Sequence, residues 1–244
     1  MALYVPSKNL LFVHIIKCAG NSVRKSLLHY APDSYEVGTT HCSAKEALDI
    51  LTMHPPVTSS GARRWRAILR LKRSIEEYLS APHHDLNWQW ITGILKTALI
   101  SYPPPASPLF VFTVVRNPYD LISSLFHFLK SRDDHPEVLE MDFSAFLNWC
   151  IDRDKKQGGI RQSDYVYDTQ GVCLADKILF YESISEEWPP FLSQFGISNA
   201  SFPHENRTPS RSVYQKHFAD QSLRNTMNRA FHSDFKTFGY SREL

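Results

Sequence analysis

Two unbroken apolar runs, each closed by a cation, constrain this chain more than any other feature. Leu10-Leu11-Phe12-Val13-His14-Ile15-Ile16 stops at Lys17, and Leu109-Phe110-Val111-Phe112-Thr113-Val114-Val115 stops at Arg116. Neither alternates polar with apolar residues. Continuous runs of this length read as strands buried on both faces, the pattern of a parallel sheet covered by helices. Each run feeds a helix. After Lys17 comes a loop of small residues, Cys18-Ala19-Gly20-Asn21-Ser22, then a helical face carrying Val23, Leu27 and Tyr30 that ends at Ala31-Pro32-Asp33. After Arg116, Asn117 is a good N-cap, Pro118 suits the first helical position, and Asp120 suits the positive end of the dipole. Leu121, Ile122, Leu125, Phe126 and Leu129 form the stripe that follows.

A third short run, Ile178-Leu179-Phe180-Tyr181, precedes a helix containing Trp188 to Phe195. Repeated strand–helix units predict an α/β fold with a central parallel sheet flanked by helices. Ser43 with Glu46 three residues on is a capping-box pattern for a helix reaching Leu51. Arg63 to Leu79 reads as a basic amphipathic helix, and Pro103-Pro104-Pro105 with Pro108 as a stiff connector. Residues 55–105 are expected to be a helical insertion on the substrate side of one domain spanning 1–244. Val213 to Phe238 reads as two helices, and the aromatic ending Phe235, Phe238, Tyr240 as a tail docked on the core.

Composition excludes several classes. Hydrophobic residues are 43% and charged residues 21%, a globular balance that excludes wholesale disorder. The formal net charge of +2 argues against a general nucleic-acid binder but allows a local basic pocket. No run approaches the ~18 apolar residues of a membrane span. No basic leader with a small-residue cleavage site is seen, and the four cysteines form no CxxC pair. A cytoplasmic location is the expectation. His83-His84-Asp85 resembles a metal ligand set by composition only, and no metal is expected.

Ligands of open parallel sheets bind outside the carboxyl ends of the strands. Here both strong strands end in a cation beside a helix N-terminus, where free N–H groups and the dipole favour anions. The expectation is two anion sites side by side, suited to a ligand with two separated anionic groups. The loop lacks the spacing of GxxxxGK[ST], and no strand ends in a magnesium-holding aspartate, so a metal-bridged triphosphate is disfavoured. Glu182, after the third run, is expected to cap the next helix.

These residues also carry a family resemblance. His14-Ile15-Ile16-Lys17-Cys18-Ala19-Gly20-Asn21-Ser22 resembles the 5′-phosphosulfate loop of sulfotransferases that use 3′-phosphoadenosine 5′-phosphosulfate (PAPS), in the HIPKTAGTS form of the carbohydrate enzymes and their bacterial relatives. Val115-Arg116-Asn117-Pro118-Tyr119-Asp120 with Ser124 resembles their 3′-phosphate element, VRNPYDxxxS. Glu205-Asn206-Arg207 and Asp234 to Tyr240 resemble late segments of the family. Ile16, Cys18 and Asn21 depart from its usual Pro, Thr and Thr.

The resemblance implies a P-loop-like three-layer sandwich and sulfuryl transfer from PAPS to a hydroxyl of a carbohydrate or other small acceptor, without a metal. Lys17 would stabilise the departing 3′,5′-bisphosphate (PAP). Lys17, Cys18, Ala19, Gly20, Asn21 and Ser22 would cradle the 5′-phosphate, and Arg116 and Ser124 would hold the 3′-phosphate. The acceptor's base would be His41, in a segment like the His-x-x-Ala of some relatives, with Glu36 in reserve. Gln162 would be an acceptor-side residue, with Arg207 and Arg211 weaker candidates; read from its own apolar run, His14 is a packed strand residue. Two other readings stay open: a magnesium–nucleotide phosphotransferase on a similar scaffold, and a catalytically silent nucleotide- or glycan-binding protein. No nucleic-acid partner is implied, and neither the acceptor nor the oligomeric state is specified.

Overall fold

In the computed structural model the two apolar runs are neighbouring parallel strands, Leu10–Val13 (β2) and Phe110–Val115 (β4), in register from Leu10↔Phe110 to Val13↔Thr113. The structure describes residues 2–38, 41–52, 109–203 and 212–244. The expected insertion at 55–105, His83-His84-Asp85, Glu205-Asn206-Arg207 and Arg211 lie outside the described residues.

The fold is α/β, with one five-stranded sheet in the order β3-β1-β2-β4-β5, where β1 is Ala2–Val5, β3 is Tyr35–Val37 and β5 is Lys177–Phe180. The sheet is mixed, which corrects the expectation of a purely parallel one. Strand β1 runs antiparallel to both β2 and β3, whereas β2, β4 and β5 run parallel. The cause is local: Pro6–Lys8 makes a tight 3₁₀ turn, Asn9 takes the left-handed conformation (φ 49°), and the chain folds straight back as a hairpin. Reversal of β1 restores β3 to the direction of β2. The carboxyl ends of β2, β3, β4 and β5 therefore share one rim.

Ten helices accompany the sheet in the described residues: Gly20–Tyr30 (α1), Ala44–Thr52 (α2), Pro118–Lys130 (α3), Pro136–Leu139 (α4), Phe143–Gln157 (α5), Ser163–Val166 (α6), Ile184–Ser193 (α7), Ser212–His217 (α8), Gln221–Ala230 (α9) and His232–Phe238 (α10). The carboxyl-terminal region holds three helices rather than the two expected, because Asp220 caps a new start by accepting from Ser222 N at 2.7 Å. The capping box at α2 forms: Glu46 Oε2 accepts from Ser43 N (2.7 Å), and Ser43 Oγ accepts from Glu46 N (3.2 Å).

Every residue of β1 and β2 is buried, as the unbroken pattern of the second demands. Phe112 on β4 packs against Phe12, Phe191 and Trp188, with ring centroids 5.1, 4.7 and 6.0 Å away. Full burial of one such side chain is worth about 1.5–3 kcal/mol. Trp188 also donates from Nε1 to Ser26 Oγ at 3.0 Å, which ties α7 to α1. The aromatic tail docks on the core, with Phe235 and Phe238 buried.

Candidate anion-binding site at the sheet rim

The first run leaves the sheet earlier than its composition suggests. Strand β2 stops at Val13, whose carbonyl accepts from Thr113 Oγ1 of β4 at 2.8 Å. From there His14 to Ala19 form the loop into α1. Lys17 and Ala19 both have positive φ, 60° and 57°. The Cys18 N–H between them donates to Ile15 O at 3.3 Å, so the backbone donors this loop leaves for an anion are those of the first turn of α1. Ala19 is the N-cap of α1 and offers no side-chain cap. The first N–H groups of α1 therefore have no such cap, and the positive end of its dipole is open.

Lys17 stands at this opening. Its Nζ lies 4.1 Å from the centroid of the Phe128 ring on α3, and it has no ion pair among the described residues. Burial, followed by the Arg116 charge, pulls the ammonium below its ordinary pKa. A half-buried ammonium without a carboxylate partner is an electrostatic demand for an anion.

Arg116 reaches the same place from β4. Its Nη1 donates to Lys17 O at 3.0 Å, so the two cations belong to one rim. Its Nε donates to Asp120 Oδ2 at 2.7 Å, and Tyr181 lies under the guanidinium, 4.2 Å from carbon to ring centroid. Arg116 is 3% exposed and Ser124 2%. Both are inside the molecule, and the Arg116 bonds seen here brace the loop.

The expected pair of open helix ends is reduced to one. Helix α3 is capped from within: Asn117 Oδ1 accepts from Tyr119 N at 3.0 Å, and Glu182 Oε1 accepts from Asn117 N at 2.7 Å. Glu182 therefore does not cap the helix that follows it. Its other oxygen accepts from Tyr240 in the tail at 2.9 Å. Asn117 and Pro118 take the helix-start positions expected of them.

Of the remaining loop residues, Cys18, Gly20 and Ser22 are buried, Ala19 is half-buried and Asn21 is exposed. Gly20 is required by contact: a Cβ there would lie 1.8 Å from His14 Nε2. His14 is half-buried just beyond the end of β2, stacked on Phe12 at 6.0 Å. His41 follows β3 to the same rim, in the left-handed conformation (φ 61°), with its ring centroid 5.2 Å from that of His14. Its Nδ1 is buried and without a hydrogen-bond partner among the described residues. Burial lowers the pKa of His41 to about 4 and of His14 to about 3, so both are neutral imidazoles at neutral pH. Glu36 is engaged by Arg24, with Nη2 2.6 Å from its Oε1.

Gln162 is not on an accessible acceptor surface. It is 0% exposed, its Oε1 accepts from Arg116 N (2.8 Å) and Cys18 Sγ (3.3 Å), and its Nε2 donates to Arg116 O (2.8 Å). Nothing in the local sequence marks it as a link between the two loops. The partners are 46 and 144 residues distant along the chain.

No family model, curated protein or solved structure matches this chain. No helix among the described residues is long and apolar enough to cross a membrane. A shallow depression of about 730 Å³ lies elsewhere, lined by Ser222, Asn225, Asn228, Arg229, His232 and Arg242. It contains none of the rim residues.

Proposed function

We propose that the chain is a PAPS-dependent sulfotransferase on a P-loop-like sandwich, acting on a hydroxyl of a carbohydrate or other small acceptor. The observation that carries the reading is the Lys17 ammonium, without an ion pair among the described residues, at the start of α1 and joined through its carbonyl to Arg116, the residue after the adjacent parallel strand. The donor set at the Lys17 end fits a terminal phosphate or sulfate: one ammonium, the N–H groups of the first helical turn, and the Ser22 hydroxyl. At the Arg116 end, Nε and one N–H of Nη1 are committed, and Nη2 has no partner among the described residues. A 3′-phosphate would be met there, and Glu182 and Asp120 nearby keep that end weaker than the Lys17 end.

PAPS supplies the sulfuryl group and leaves as PAP. The chain's own part in an in-line transfer is to hold donor and acceptor in line and to place positive charge where the leaving oxygen gains negative charge. Lys17 is the group for that charge. His41, neutral at neutral pH, would take the acceptor proton.

Thermal denaturation tests the reading. PAP without magnesium, at about 100 times its Kd, should stabilise the chain by about 2.7 kcal/mol, or about 5–11 °C in Tm. Adenosine 5′-monophosphate should give a smaller rise if Arg116 reads the 3′-phosphate, and Lys17→Ala should remove most of the effect. Stabilisation by magnesium–ATP with none by PAP would overturn the proposal.

A further inference from the structure

Beyond the last paired residues, Val13↔Thr113, strands β2 and β4 no longer share a ladder. The peptide groups that follow are buried and still require partners. At Arg116 the N–H and the C=O are both answered by one side chain, the amide of Gln162. The same Oε1 also accepts the Cys18 thiol of the anion loop. Gln162 thus replaces the missing rungs of the ladder and adds a link to the loop on the far side of the gap. It is itself held: Asp234 of α10 accepts from Gln162 N at 2.8 Å and from Ser163 N at 2.9 Å. All of these groups are buried.

We infer that Gln162 is a positioning residue: its amide clasps the Cys18 loop to the Arg116 backbone, fixing the separation of Lys17 and Arg116, with Asp234 as the anchor that aims it. The clasp touches no ligand and acts only through the two loops. Its existence does not depend on the proposed activity, and only the nucleotide arm of the test below rests on that reading.

The four cysteines make the clasp measurable. Cys18, Cys42 and Cys150 are buried and Cys173 is exposed. Burial pushes the Cys18 and Cys150 thiols well above their ordinary pKa, so in the native chain both should be nearly inert beside Cys173. The experiment is site-resolved thiol labelling of the full chain by mass spectrometry, with Gln162→Met, which keeps the volume and removes the amide. Cys18 labelling should rise about 10- to 100-fold while Cys150, in the core of α5, stays protected. PAP affinity, measured well below Tm, should fall about tenfold in the same variant. Should Gln162→Met fail to fold, Gln162→Leu, which also removes both the acceptor of Cys18 and the donor to Arg116 O, serves with the same readouts. An unchanged Cys18 rate, or equal rises at Cys18 and Cys150, overturns the clasp. A freed Cys18 with unchanged PAP affinity overturns the positioning role. A wild-type chain indifferent to PAP refutes the proposed activity, and the labelling result then decides the clasp alone.

Discussion

Gly20→Ala is the sharpest test of the loop geometry, because the added atom has one place to go. The new Cβ would fall 1.8 Å from His14 Nε2, 1.9 Å from Cδ2 and 2.6 Å from Cε1. Comfortable non-bonded separations are about 3.5–4.0 Å, so the ring must move by about 2 Å. It has little freedom to do so, with Phe12 stacked 6.0 Å away and His41 5.2 Å away. Overpacking of this kind costs about 1–3 kcal/mol, and alanine returns up to about 1 kcal/mol through helix propensity. The expected net loss is about 1–2 kcal/mol, a fall of about 2–8 °C in Tm. Urea titration at pH 7.5 measures it. Adding His14→Ala to the same chain should recover most of the loss, because the obstacle is gone. If Gly20→Ala alone is as stable as wild type, the packing argument at the head of α1 is wrong.

Acidification should weaken the fold through the same pair. His14 and His41 have folded pKa values of about 3 and about 4, below the ordinary 6.5. The unfolded chain therefore binds protons first, and stability present above about pH 6.5 is lost as pH falls toward 4 and then 3. Between pH 7.5 and 5 the loss is about 2 kcal/mol per histidine, and His41→Gln should roughly halve the change in urea midpoint over that range. A flat wild-type profile there would contradict the burial of both rings. At the other end of the loop that carries His41, Ser43→Ala removes one half of the capping box and should cost about 1 kcal/mol, read as a fall of about 2–4 °C in Tm; no change would mean that Glu46 alone secures α2.

The elements that the sequence reveals are those that form an unbroken apolar run or carry local chemistry at their ends. Strands β2 and β4 are legible because an unbroken apolar run has few other destinies, and α3 because Asn117, Pro118 and Asp120 announce its start. Strand β3 is hidden because Tyr35-Glu36-Val37 is only three residues long and buries one of them fully. Strand β1 is hidden because its four residues make sense only once Asn9 folds them onto β2. The same division runs through the site. Lys17 and Arg116 are legible as strand-end cations, and their shared rim follows from adjacency of the strands. The internal cap of α3 by Glu182 and the clasp by Gln162 are illegible, because each joins residues that are strangers in sequence: Asn117 to Glu182 across 65 positions, Cys18 to Gln162 across 144.

The parallel seam between β2 and β4 joins residues about a hundred positions apart, as in the 100-residue separation of Val13 and Thr113. Closing so long a span demands its entropy before any contact repays it, whereas the β1–β2 hairpin forms from neighbours. The hairpin should thus arise early and the seam late in refolding. Lys17 and Arg116 stand on opposite sides of that seam, so the rim that brings the two cations together is completed only when the seam closes, among the latest steps of maturation.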